Sequence, residues 1–148
     1  MLLSFVMGFA LLGLIQWIKR KHLLKVDYSI LVLGGFYIVV MTVYVLFEVV
    51  VVNYRPVWIG GILEASYPSS TTMLVMCVMP TAIIQFNTRI KNNVLKRCVA
   101  SAIIAFIVFM VIGRLISGVH WLTDIIGGAL FSTGLVLLYH AIISLEGN

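Results

Sequence analysis

The chain has 148 residues, of which 62% are hydrophobic and 10% charged, with a mean hydropathy of +1.15. Those values exclude an ordinary soluble domain and point to an integral membrane protein. A net charge of +5 does not imply a nucleic-acid partner, because the basic residues gather in short segments beside apolar runs, where they set orientation.

Five apolar runs are long enough to cross a hydrocarbon core of about 30 Å: Leu2–Ile18, Tyr28–Asn53, Ser69–Phe86, Cys98–Ile116 and Leu122–Ser144. None alternates with a period of two, so the expected architecture is all-α, a polytopic bundle of about five transmembrane helices forming one domain over residues 1–148. The first run precedes the basic cluster Lys19, Arg20 and Lys21 rather than following one, which reads as a retained anchor and not as a secretory signal. Cys77 falls inside the third run and Cys98 at the edge of the fourth; both are expected to be free thiols.

Of the ten basic residues, Lys19, Arg20, Lys21 and Lys25 lie between runs one and two, and Arg89, Lys91, Lys96 and Arg97 between runs three and four. Those segments should face the cytoplasm. The N-terminus is then outside, the C-terminus inside, and the segments Tyr54–Pro68 and Ser117–Trp121 share the outer face. Arg55 and Arg114 are the two basic residues left over, both on that face, where topology has no use for them. Ionisable residues at such positions mark a functional site by default. Glu48, Glu64, His120 and Asp124 join them, whereas His22 and His140 fall on the other side.

Arginine forks match phosphate or carboxylate oxygens. His120 and Asp124 are four residues apart, so a helix beginning near His120 lets the carboxylate orient the imidazole, and an oriented histidine can act as nucleophile or base. In "YPSSTT" (Tyr67 to Thr72), Pro68 followed by Ser69 and Ser70 reads as a helix start. Such a start offers free N–H groups to an anion, although a plain N-cap is the commoner reason for these residues there. Asp124 could also simply pair with Arg114, and His120–Trp121 could belong to an interfacial aromatic belt. Gly127, Gly128 and Ser132 read as helix-packing residues, and the Met-rich "MLVMCVM" as core or lipid-facing surface.

The stretch "GRLISGVHWLTDIIGG" resembles the third motif of the type 2 phosphatidic acid phosphatase (PAP2) superfamily of membrane lipid phosphatases, with Arg114, His120 and Asp124 at the motif spacing. Gly113 stands where serine is common. The second motif, Pro-Ser-Gly-His, is matched at Pro68 and Ser69, with Ser70 for the glycine and Thr71 for the histidine. The first is matched at Arg55 and Pro56, with Glu48 at the lysine position. The resemblance covers about residues 47–128. Five helices are one fewer than is usual in the family, so either this is a minimal member or a start site lies further upstream.

The resemblance implies hydrolysis of a lipid phosphate or polyprenyl diphosphate, such as undecaprenyl diphosphate, on the extracytoplasmic side of a plasma membrane, bacterial by expectation. His120 would form a phosphohistidine, with Asp124 holding its tautomer. Arg55, Arg114, Ser69 and Ser70 would bind phosphoryl oxygens, and neither metal nor cofactor is implied. Thr71 cannot replace the family's acid histidine, and His22 and His140 lie on the wrong side. Glu64 or Glu48, buried, could supply the proton, or the leaving group could depart without one. The alternative implied is a pseudoenzyme that binds anionic lipid headgroups without turnover. Vanadium haloperoxidases share the family's site but are soluble, and this composition excludes them.

Overall fold

The structure, a computed structural model, describes residues 2–22, 26–58 and 61–145; Lys25 lies outside them. Five helices follow one another: α1 (Leu2–Arg20), α2 (Tyr28–Val49), α3 (Ser70–Arg89), α4 (Asn93–Ile116) and α5 (Leu122–Leu145). The architecture is all-helical, as the apolar runs require. Helices α2 to α5 are long and apolar enough to cross a membrane, while α1 carries a shorter apolar stretch, Ser4–Lys19.

Helix α3 is the centre of the bundle and touches all four others. Half of its apolar window is buried, against 6% for that of α4. Position explains composition: α3 has the lowest mean hydropathy of the four long helices, 1.3 against 2.6 for α4, because α3 packs against protein and α4 turns most of its surface outward. Met73, Met79, Val75 and Cys77 of α3 are buried, so the Met-rich run is core. Ile104, Val108, Phe109 and Ile112 of α4 remain exposed, the surface that a hydrocarbon solvent would cover. Cys77 is buried, Cys98 is exposed, and both are free.

The helix ends differ from the apolar runs wherever a local bond decides the matter. Helix α2 stops at Val49, four residues before Asn53, since Val49, Val50, Val51 and Val52 form a β-branched run that favours extended backbone. The chain then pairs with itself: Tyr54 bridges Ala65, the Arg55 amide donates to Glu64 O at 3.1 Å, and the Ser66 amide donates to Asn53 O at 3.0 Å. Helix α4 begins at Asn93, five residues before Cys98. The Asn92 side chain accepts from the Val94 and Leu95 amides at 2.9 and 3.2 Å and caps the helix there, so Lys96 and Arg97 sit on its first turns.

Small residues let α3 and α5 approach closely. A Cβ on Gly128 would come within 3.1 Å of Ser69 O, and one on Gly127 would overlap the Tyr67 ring. Ser132 Oγ donates to Gly128 O at 2.6 Å and lies 3.0 Å from Met73 O on α3. At the turn between α4 and α5, Gly118 has φ +65°, a conformation that favours glycine. That turn brings His120 back over the end of α3.

Candidate active site

Three segments meet at one end of the bundle: the loop after α2, the start of α3, and the α4–α5 turn. The indole of Trp121 fastens two of them by donating to Tyr54 O at 2.9 Å. The Asp124 carbonyl fastens the third, accepting the Ser69 amide at 3.0 Å. Trp121 thus has a defined partner beyond any belt role.

His120 lies two residues ahead of α5 and is 6% exposed; Asp124, in the first turn, is fully buried. Their closest approach, Nδ1 to Oδ2, is 3.7 Å, too long for a direct hydrogen bond. Nδ1 instead lies 3.1 Å from Ser66 O and 3.2 Å from Ser66 Oγ. A carbonyl oxygen can only accept, so Nδ1 carries the proton and Nε2 holds the lone pair. Burial lowers the imidazole pKa below 6.5, and the positive charges of Arg55 and Arg114 lower it further, against the opposing effects of the Ser66 carbonyl and Asp124. The ring is therefore neutral at neutral pH, with a free electron pair.

The Asp124 carboxylate accepts from three donors: Asn53 Nδ2 at 3.0 Å, the Trp121 amide at 2.9 Å, and the Ser66 hydroxyl. It does not pair with Arg114. That arginine, in the last turn of α4, donates to Thr71 Oγ1, so the residue at the family's acid position holds a phosphate-binding candidate in place. Arg55 pairs with Glu64 at 3.1 Å. Helix α2 ends between Glu48 and Arg55, so the two do not share a helix face, and among the described residues Glu48 makes no ion pair. Glu48 is exposed and the Glu64 side chain is 43% exposed. Protein atoms enclose neither side chain.

A small cavity, about 50 Å³, is lined among others by Arg55, His120, Ser70, Glu48 and Tyr67. Ser70 reaches it; Ser69 does not. Ser69 serves as the backbone N-cap of α3, its amide is committed to Asp124 O, and its hydroxyl accepts from Thr72 at 3.1 Å. Ser69 stands at the N-cap position of α3, and its side chain makes no capping bond.

Among the described residues, three buried side-chain polar atoms lack a partner: Arg55 Nε, His120 Nε2 and Asn53 Oδ1. All three belong to this cluster. Buried polar groups are nearly always satisfied, so such exceptions need a cause, and a missing ligand is one. Asn53 and Ser66 were not legible as site residues in the sequence. The local signal is faint: they flank the self-paired segment that carries Arg55 and Glu64.

The family model of the PAP2 superfamily matches residues 48–147, about two thirds of the chain. The chain belongs to the PAP2 superfamily. Its fold is similar to a solved structure described as the first transmembrane PAP2-type phosphatidylglycerolphosphate phosphatase from Bacillus subtilis, with a TM-score of 0.64 and 22% identity over 95% of this chain and 70% of that one. No curated protein matches the sequence. Four long apolar helices in a transmembrane PAP2 fold make this an integral membrane protein.

Proposed function

We propose that this PAP2 protein is a metal-independent lipid phosphate phosphatase whose residues 1–148 act as one transmembrane unit, with its site on the extracytoplasmic side. The observation that carries the reading is the set of unsatisfied buried atoms: a guanidinium N–H and an imidazole lone pair, on residues lining one cavity. An anion with an electrophilic phosphorus satisfies both at once.

In the first step the His120 Nε2 lone pair attacks phosphorus, the bond from phosphorus to the lipid oxygen breaks, and that oxygen leaves with the electron pair. Arg55 and Ser70 bind non-bridging oxygens, and Arg114, held by Thr71, adds positive charge beside them. In the second step water attacks phosphorus, the N–P bond breaks, and inorganic phosphate departs with the lone pair returned to Nε2. Thr71 is not an acid at neutral pH and is occupied with Arg114. Turnover therefore favours a leaving group that needs no proton. A lipid diphosphate expels a phosphate monoester, far less basic than the alkoxide expelled by a monophosphate.

The test is phosphate release from matched diacylglycerol and polyprenyl mono- and diphosphates by purified protein, beside His120→Ala. The expected result is faster release from diphosphates and loss of release in the variant. Binding of the same lipids by wild type without release would instead establish the headgroup-binding pseudoenzyme. The wild-type panel is a cleaner probe than Thr71→His, which would remove the partner of Arg114.

A further inference from the structure

No direct hydrogen bond joins His120 to Asp124, whose nearest atoms are 3.7 Å apart, and a third side chain bonds to both. Ser66 is 2% exposed. Its Oγ lies 3.2 Å from His120 Nδ1 and hydrogen-bonds Asp124 Oδ2, whereas Nδ1 and Oδ2 are 3.7 Å apart. The polarity of these bonds follows from what each atom can do. A carboxylate accepting from the Trp121 amide and Asn53 Nδ2 has no hydrogen to give, so the Ser66 hydroxyl donates its one proton to Oδ2. That leaves the lone pairs of Oγ facing Nδ1, which carries a proton because it also meets the Ser66 carbonyl at 3.1 Å. Every bond in the chain Nδ1–H to Oγ–H to carboxylate then runs in one direction, an order in which each bond polarises the next.

We infer that Ser66 is a positioning residue for His120: its hydroxyl relays the negative charge of Asp124 to the imidazole ring, and Asp124 acts on His120 through it. This rests on His120 being the nucleophile. When Nε2 bonds to phosphorus the ring becomes cationic, and the relay adds hydrogen-bonded stabilisation of that charge to the attraction of the carboxylate 3.7 Å away. The backbone carbonyl of the same residue fixes the tautomer, so the hydroxyl and the carbonyl of Ser66 have separate duties. Loss of the hydroxyl weakens charge stabilisation in the chemical step while leaving the substrate's phosphate contacts, on Arg55, Ser70 and Arg114, in place.

The test is a double-mutant cycle on purified full-length protein with Ser66→Ala, Asp124→Asn and the pair, reading kcat and KM for a lipid diphosphate, with Ser66→Thr as the hydroxyl-preserving control. On the scale of partners that orient a functional histidine, Ser66→Ala should lower kcat about 10–100-fold with KM little changed. Asp124→Asn added to Ser66→Ala should cost little more, because the two act through one path. Ser66→Thr should recover most of the loss. Unchanged kcat in Ser66→Ala would overturn the inference, as would fully additive losses or a loss that follows thermal stability in both Ser66 variants. Full phosphate release by His120→Ala would remove the nucleophile assignment itself, an outcome that the cycle does not produce, so the two failures are distinguishable.

Discussion

The two ends of the bundle each hold a buried polar cluster, and they differ in one respect. At the end of α3 remote from the cavity, Gln85, 1% exposed, bonds the Tyr139 hydroxyl and Ser29 O, and accepts from Arg89. Arg89 in turn lies 3.6 Å from Asp27, which exchanges bonds of 2.8 and 2.9 Å with Gln16. Four segments are joined there (α1, the start of α2, α3 and α5), and among the described residues no buried side-chain atom of that cluster lacks a partner. At the cavity end, three do. The remote cluster spends its hydrogen-bonding capacity on fixing helix register; the cavity cluster keeps part of its capacity in reserve. In an apolar bundle an unsatisfied group costs more than it would at a wet surface, so a reserve of this kind marks the place where a ligand completes the structure.

Substitutions should separate the two clusters by what they damage. The largest effect belongs to His120→Ala, with kcat for a lipid diphosphate falling on the order of 10³-fold or more at an unchanged thermal midpoint. Arg55→Ala should cost on the order of 10²–10³-fold in kcat/KM, because it removes a donor aimed at charge that grows in the transition state. At the remote end Gln85→Leu should do the opposite. It strips partners from Tyr139 and Arg89 and should destabilise the fold by about 1–3 kcal/mol, read by thermal unfolding in detergent, with kcat per folded molecule within about twofold of wild type. A loss of kcat in Gln85→Leu matching that of Arg55→Ala would erase the distinction.

A smaller effect sharpens the electrostatic part. The nucleophile is the neutral imidazole, and burial and two arginines lower the pKa of His120. As pH falls, kcat/KM should therefore hold through 6.5 and decline only below it. In Arg55→Ala one of the causes is gone, so the acid limb should move up toward 6.5. An acid limb above 6.5 in wild type would contradict the assignment. The smallest effect is labelling without functional consequence. In a background lacking Cys77 and Cys98, cysteine in place of Trp58, 72% exposed, should react with an impermeant thiol reagent in intact cells. Cysteine in place of Lys91, exposed on the α3–α4 connection, should be protected.

Much of this was legible in the sequence, and the remainder failed for identifiable reasons. Apolar runs locate helices because hydrocarbon forces backbone groups to pair within the segment, but they do not locate helix ends. Those are set by single bonds, such as the Asn92 cap on α4. Arg114, His120 and Asp124 were readable because their spacing within one segment is fixed. Ser66 was not, since its partners lie 54 and 58 residues away, and nothing local tells a serine that bridges two side chains from one that sits in a turn. The seven-residue interval from Glu48 to Arg55 gives no shared helix face for a related reason. Helical spacing has meaning only inside a helix, and α2 ends at Val49.

In the proposed mechanism His120 Nε2 takes up the phosphoryl group. Rapid quenching of purified protein mixed with lipid diphosphate carrying ³²P in its terminal phosphoryl group tests it most directly. The quench should be alkaline, because a phosphohistidine survives base and is lost in acid, and the label should then be mapped by residue. Label should form on His120 before inorganic phosphate is released, decay as phosphate release completes, and be absent from His120→Ala. Phosphate release with no label on residue 120, or label that persists in His120→Ala, would contradict it.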